Sequence, residues 1–228
     1  MADVNVTGTL MCSDGSVIPL LDADMAEGTE EPLSTNVLYT VAVSAIGDYA
    51  PGKVVVSASI ECDHSVAYAY ILRQGLIATI LPVSVKGVSG SGPLPLCVPF
   101  QIQPGDIVRV LTVTAAARTQ AISVYTNQGV YRIFTIASAS GNVEPVDLQT
   151  GNSLGDTLQG QVIMKAFCTS GSLANAEKIS SGGALALNEK GMPIGMVPTN
   201  SPQLSAVGWS DVRIPVALNY QWRITSTS

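Results

Sequence analysis

Apolar and polar residues alternate along several short segments of this chain, and a period of two residues predicts β-strands. The clearest alternation runs from Arg213 to Thr225, and its apolar face holds Ile214, Val216, Leu218, Tyr220, Trp222 and Ile224. We predict one long amphipathic strand there, with Pro215 at an edge or bulge because proline lacks an N–H donor. Lys53 to Cys62 alternates as well, and its predicted inner face is Val54, Val56, Ala58, Ile60 and Cys62.

Other apolar runs are bounded by glycine and proline, and they predict strands at 36–45, 66–72, 76–81, 106–114, 120–126, 130–137, 161–168 and 183–187. No long stretch shows the 3.6-residue period of a helix. Ten or more short strands with regular turn signals predict an all-β chain, either an antiparallel sandwich or a jelly-roll barrel. Two stacked β-barrels are the alternative architecture.

Two segments of the chain repeat the same order of elements. Pro51-Gly52 opens a strand that is followed by a second strand, by Gln74-Gly75 and by a third strand. Pro104-Gly105 opens a similar series that passes through Gln128-Gly129. Glycine suits a turn after proline because it tolerates a positive φ. We therefore predict two similar three-strand units.

The predicted organisation has three parts. Residues 1–35 are rich in Asp, Glu and Gly and are interpreted as an acidic, irregular N-terminal arm. Residues 36–140 form a first β-sandwich unit, and 141–228 form a second unit or complete the same sandwich. Residues 138–160 are interpreted as a polar connector, and 172–179 as a short helix. A hairpin turn is predicted at 188–191.

Charge is scarce, because Asp, Glu, Lys and Arg together make up 12% of the residues, about half the usual share. Such a surface is either rich in uncharged polar groups or buried against neighbours, and we favour assembly. Residues 1–63 hold ten acids against Lys53 alone, a balance of −9. This asymmetry either steers head-to-tail contact between copies or marks a solvated loop. The eleven basic residues are scattered, which argues against direct nucleic-acid binding.

Catalytic chemistry is not indicated. His64 is the only histidine, and Asp63-His64-Ser65 is interpreted as a turn between strands. No nucleophile elbow or phosphate-binding loop is present, so we predict no catalytic, cofactor-binding or metal-binding residue and no enzyme. Five carboxylates lie close together in sequence, and a solvated acidic loop is favoured over a calcium site for Asp22, Asp24, Glu27, Glu30 and Glu31.

The cysteines and the aromatic pairs each leave two interpretations. Buried free thiols are favoured over disulfides, including disulfides between chains, for Cys12, Cys62, Cys97 and Cys168. Aromatic residues share a strand face at Tyr68 with Tyr70 and at Tyr220 with Trp222. Such pairs line a sugar-binding face in some proteins and fill a core or interface in others.

Residues 51–137 and 161–225, with their Pro-Gly turns, alternating strands and few charges, resemble in style the jelly-roll coat proteins of double-stranded DNA viruses. The resemblance implies a self-assembling capsid subunit that partners copies of itself and other coat proteins. It also implies a place in the virion, with contact to the genome or an underlying membrane left to other components. The chain shows no transmembrane segment and no signal peptide, which predicts synthesis in the host cytoplasm. A carbohydrate- or ligand-binding β-sandwich module is the alternative function.

Overall fold

The computed structural model describes residues 3–26, 28–36, 42–43, 45–62, 66–84, 93–112, 119–137, 144–171, 183–198 and 206–225. Two short helices lie among these residues, α1 (Ile46–Tyr49) and α2 (Leu154–Leu158). The strands pair antiparallel throughout, so the prediction of an all-β antiparallel fold is confirmed. The chain divides into two compact units, Met1–Thr114 with Gln203–Gly208, and Ala115–Pro202 with Trp209–Ser228.

The strands of unit 1 are β1 (Asp3–Cys12), β2 (Val17–Ala26), β3 (Glu30–Leu33), β4 (Thr35–Asn36), β5 (Ala42–Val43), β6 (Val54–Cys62), β7 (Val66–Arg73), β8 (Leu76–Leu81), β9 (Val83–Ser84), β10 (Leu94–Gln101), β11 (Ile107–Thr112) and, later in the chain, β18 (Ala206–Val207). They form two four-stranded sheets, ordered β10-β6-β1-β2 and β3-β11-β7-β8. Two small pairs, β4-β5 and β9-β18, complete the unit.

The strands of unit 2 are β12 (Thr119–Thr126), β13 (Tyr131–Ala137), β14 (Val146–Asp147), β15 (Val162–Gly171), β16 (Gly183–Leu187), β17 (Pro193–Pro198), β19 (Ser210–Pro215) and β20 (Gln221–Thr225). They form a five-stranded sheet, β14-β13-β12-β15-β19, and a three-stranded sheet, β17-β16-β20. One apolar core joins both sheets and α2, with Phe134, Leu158 and Trp222 among its buried members. Among the described residues, none of the larger sheets of either unit closes into a barrel.

The predicted irregular arm at residues 1–35 is wrong, because its described residues form β1, β2 and β3. Val6 and Leu10 are completely buried on β1, and Ile18 and Leu20 are buried on β2. Burying these apolar side chains outweighs the local density of acids in the sequence.

The boundary between the compact units also differs from the predicted one, since it falls after Thr114 and not after residue 140. The reason is strand pairing, because β12 forms its ladder with β13 on one side and β15 on the other. The hairpin at 119–137 therefore belongs to the second unit. The interpretation of 138–160 as a connector is also incomplete, because β14 and α2 lie there.

The predicted long strand from Arg213 to Thr225 is in fact two strands in different sheets. β19 pairs with β15, and β20 pairs with β16. The chain turns between them at Asn219, whose φ is 63°, while Pro215 ends β19. The alternation is still informative, because both strands point Ile214 and Trp222 into the same core. Leu218, which lies in the turn, is exposed.

The alternation predicted for Lys53 to Cys62 changes phase inside β6. Ala58 and Ile60 are buried as predicted, but toward the start of the strand Val55 is buried and Val56 is not. The cause is a β-bulge, since Met11 pairs with Ser57 and the next residue, Cys12, pairs with Val55. Val56 is thus an extra residue on β6.

The predicted repeat survives as turns and hairpins but not as three-strand units. Gly52 and Gly105 have φ of 85° and 82°, as a turn of this kind requires. β7-β8 and β12-β13 are both antiparallel hairpins. The opening strands do not join them in the same way, because β6 pairs with β1 and β10 while β11 pairs with β3 and β7.

One further local prediction can be compared with the structure. The hairpin turn at 188–191 is confirmed, because the Asn188 N–H donates to the Met192 carbonyl across the turn and Gly191 has a positive φ. The helix predicted at 172–179 lies outside the described residues, and so does most of the strand predicted at 36–45.

Candidate functional site

One polar cluster of unit 1 centres on Glu30, in the edge strand β3. The Tyr70 hydroxyl donates to Glu30 Oε1 at 2.7 Å, and the Tyr68 hydroxyl donates to Oε2 at 3.0 Å. Arg109 Nη1 donates to Oε1 at 3.2 Å. Because Tyr68 and Tyr70 lie on β7 and Arg109 lies on β11, one carboxylate connects three neighbouring strands.

Burial and the nearby Glu30 carboxylate both raise the pKa of the two tyrosines. Desolvation is the main cause that raises the pKa of Tyr68 and of Tyr70 above the ordinary tyrosine value, and Glu30 raises both further. The two rings are tilted, with centroids 6.0 Å apart, and both side chains are buried. Buried rings whose hydroxyls are already bound offer no open face for a sugar to stack on. Tyr220, the third residue of that hypothesis, is half-buried and packs against the core of unit 2.

A second polar cluster joins the two main sheets of unit 1. Arg73, at the end of β7, donates from Nε to Asp106 Oδ1 at 2.8 Å and from Nη2 to Oδ2 at 2.7 Å. The same Nη2 reaches the carbonyl of Gln101 on β10 at 2.7 Å. The guanidinium also lies over the Phe100 ring, 4.7 Å from its centroid. This arrangement holds the end of β7, the end of β10 and the turn before β11 together, which is a structural role.

Two acidic residues near the N-terminus, Glu30 and Glu31, are built into the sheet edge and its turn. Glu31 Oε1 accepts from the Thr29 hydroxyl at 2.7 Å and from the Ala26 N–H at 3.2 Å. Glu30 and Glu31 are therefore bound within the protein, which corrects the interpretation of a solvated acidic loop for these two residues. Glu27 and the side chains of Asp22 and Asp24 lie outside the described part. Among the described residues, no group of three His, Cys, Asp or Glu could hold a metal ion.

None of the four cysteines, all of which lie in the described ranges, is part of a disulfide. Cys12 and Cys168 are buried, while Cys62 and Cys97 are half-buried. Burial raises the pKa of Cys168 to about 12, so its thiol stays protonated at neutral pH. His64 lies outside the described residues, and its predicted turn cannot be compared with the structure.

Several large apolar side chains are exposed on each unit. The most exposed among the described residues are Leu76, at 63%, and Met196, at 59%. Met192, Val17 and Leu218 follow, at 55%, 51% and 49% exposure. Sequence reasoning did not find this surface, because apolar content alone does not tell which side chains the fold leaves outside. It did find the shared face of Tyr68 and Tyr70, but it gave no signal that both bind Glu30 together with Arg109.

Within the ranges that the structure describes, the helices are too short to span a bilayer. Comparison of the chain with protein-family models, with curated proteins and with solved structures found no match.

Proposed function

We propose that this protein is a structural subunit that assembles with copies of itself, as a coat protein of a viral capsid. The observation that carries the proposal is the combination of an all-β architecture, whose larger sheets do not close into barrels among the described residues, with a charge content of only 12%. Charged residues normally provide about a quarter of a soluble chain and keep its strand edges apart. The charged share of this chain is about half of that, so fewer charges are available to keep strand edges of neighbouring copies apart.

The polar clusters support a structural role. Glu30 and Asp106 each accept hydrogen bonds from side chains on other strands, and these bonds hold sheet edges and turns in place. The buried Cys168 thiol is held in its protonated, unreactive form. A subunit whose polar groups are used to make the fold rigid suits a shell, where a fixed shape sets the geometry of assembly.

Other coat proteins are proposed as further partners, and the virion as the place of function. Contact with the genome is assigned to other components, because the basic residues form no cluster in sequence.

The test combines size-exclusion chromatography, light scattering and negative-stain microscopy on one purified sample. We expect regular particles or discrete oligomers whose mass rises with protein concentration. A uniform size distribution separates assembly from aggregation. A monomer at all concentrations, with and without added salt, would overturn the proposal.

A further inference from the structure

The three-stranded sheet β17-β16-β20 of unit 2 carries apolar side chains on the face that points away from its core. On the core side, Ala184 of β16 pairs with Ile224 of β20, and both are buried. Successive residues of a strand point to opposite faces, so the next rung of the ladder points outward. There Leu185 pairs with Met196 on one side and with Arg223 on the other. We call these three residues the outer patch.

The outer patch is apolar and carries one positive charge. Met196 is 59% exposed, Leu185 is half-buried and Arg223 is exposed. Arg223 is the only charged residue in the three strands, and it forms no ion pair with another described residue. An outer sheet face normally carries polar side chains, and an exposed apolar group beside a charge is typical of a contact surface. A partner for this patch should therefore be apolar and negatively charged.

Helix α1 of unit 1 presents a pair of side chains with that chemistry, Asp48 and Tyr49. Tyr49 is 39% exposed, and among the exposed large apolar side chains of the described residues it is the only aromatic one. Asp48 beside it is exposed and forms no ion pair with another described residue. Tyrosine is one of the residues that contribute most to binding at protein interfaces. The α1 pair is therefore complementary to the outer patch in charge and in apolar character.

The packing of α1 holds this pair in a fixed position. Ile46 and Gly47 of the same helix are buried. The Gly47 N–H donates to the Asp106 carbonyl at 3.1 Å. A Cβ at Gly47 would lie 2.1 Å from the Gln103 carbonyl oxygen, so the helix lies directly against the turn before β11. A partner that binds Asp48 and Tyr49 therefore has little backbone to order, which lowers the entropic cost of association.

The charge balance of the two units favours contact between unlike units. Unit 1 holds eleven acids and four bases, a balance of −7, whereas unit 2 holds six acids and seven bases, a balance of +1. Unit 1 of one copy is therefore repelled by unit 1 of another and is not repelled by unit 2. A contact of the outer patch with itself would bring two Arg223 side chains together, which the same repulsion disfavours.

We propose that copies of this chain join head to tail, with Asp48 and Tyr49 of one copy bound on the outer patch of the next. The Asp48 carboxylate pairs with the Arg223 guanidinium. The Tyr49 ring packs on Met196, because a thioether makes favourable contacts with an aromatic ring. Each copy uses two different surfaces, so each keeps one free for a further copy and the assembly can grow. This inference rests on the proposed function, and it names the contact through which assembly proceeds.

The test reverses the charge on each side of the contact. Arg223→Glu and Asp48→Lys are both made at exposed residues, so both variants should fold, which circular dichroism checks. Analytical ultracentrifugation over a dilution series gives the dissociation constant. Each single reversal should raise it at least about tenfold, because it places like charges at the contact. An equimolar mixture of the two variants should assemble again, since alternating copies then join Glu to Lys at one contact and Arg to Asp at the next.

Two further reversals serve as matched controls. Glu61→Lys changes an exposed acid of unit 1, and Arg213→Glu changes an exposed base of unit 2, on the other sheet. Both should leave the dissociation constant unchanged. If the unmodified chain assembles but the test variants behave like these controls, or the mixture does not recover, this contact is wrong and the proposed function stands. If the unmodified chain never assembles, both proposals fail.

Discussion

Arg73 and Asp106 form a two-bond ion pair whose carboxylate is completely buried. Asp106 Oδ2 also accepts the Gln103 N–H at 2.8 Å, so the carboxylate closes the turn that leads into β11. Arg73 in turn binds the end of β10 through Gln101. The pair therefore stabilises the junction of three strands from two sheets, and it does so because each partner satisfies charges that would be costly to bury alone.

Replacement of Asp106 by Ala should destabilise the protein strongly. The guanidinium would lose its main partner, and the Gln103 N–H would lose its acceptor. We expect the free energy of unfolding to fall by about 3 kcal/mol, measured by urea denaturation. Lys53→Ala is the matched control, because its partner Asp14 and Lys53 itself are exposed, and it should leave the denaturation midpoint nearly unchanged. Equal losses in the two variants would contradict this account.

Stability should decrease at alkaline pH because of Tyr68 and Tyr70. Their folded-state pKa is raised by burial and by Glu30, so the folded state favours the neutral hydroxyls. This contribution is fully present below the unfolded tyrosine pKa of about 10, and it is lost as the pH rises from there toward the folded pKa. Urea denaturation between pH 9 and 11 should show the loss. The double variant Tyr68→Phe, Tyr70→Phe should have a flatter profile, and an unchanged slope would exclude the tyrosines as its cause.

Cys168 should resist thiol reagents in the folded protein. Its thiol is completely buried and its pKa is raised to about 12, so little thiolate exists at pH 8. Mass spectrometry after brief treatment with iodoacetamide should find Cys168 unmodified, whereas in urea it should be modified. Modification of folded Cys168 at the rate seen in urea would show that unit 2 opens readily.

Gly155 should not tolerate a side chain. A Cβ there would lie 2.6 Å from the Tyr220 backbone nitrogen and 2.7 Å from the Ala217 carbonyl oxygen. Gly155→Ala must therefore push α2 away from the turn between β19 and β20, and we expect a loss of about 3 kcal/mol or more in thermal or urea unfolding.

Gly160→Ala is the control for that experiment. Gly160 has nothing within 4 Å of an added Cβ, but its φ is +79°. The cost should therefore be limited to backbone strain, about 1 kcal/mol. A loss at Gly155 no larger than the loss at Gly160 would mean that α2 can shift without penalty.

The sequence supports the fold class and many of the strands, because period-two alternation survives even where the chain turns from one sheet into another. Residues 213–225 show the limit of that signal. Ile214 and Trp222 are assigned correctly to the core, yet the break at 216–220 is missed, because the two sheets face one core and keep the alternation in phase. The extra residue at Val56 shows the opposite failure, in which a bulge shifts the phase within a single strand.

The polar clusters could not be predicted, because they depend on which strands become neighbours. Glu30 and Arg109 are 79 residues apart and meet only because β3 and β11 pair. The acid-rich composition of 1–35 was misleading for the same reason in the case of Glu30, whose partners Tyr68, Tyr70 and Arg109 lie far away in sequence. The alternation of apolar and polar residues predicts which face of a strand is buried. Which polar side chains meet depends on the order of the strands in the sheet, and that order is not visible in the local sequence.

The short strand β18 has a consequence for how this protein can change over generations. It lies late in the chain yet pairs with β9 of unit 1, so the polypeptide passes between the units three times. A single genetic crossover that imported a foreign version of either unit would bring with it, or leave behind, a piece of the other. Replacement of one complete unit by a foreign version would therefore require more than one crossover.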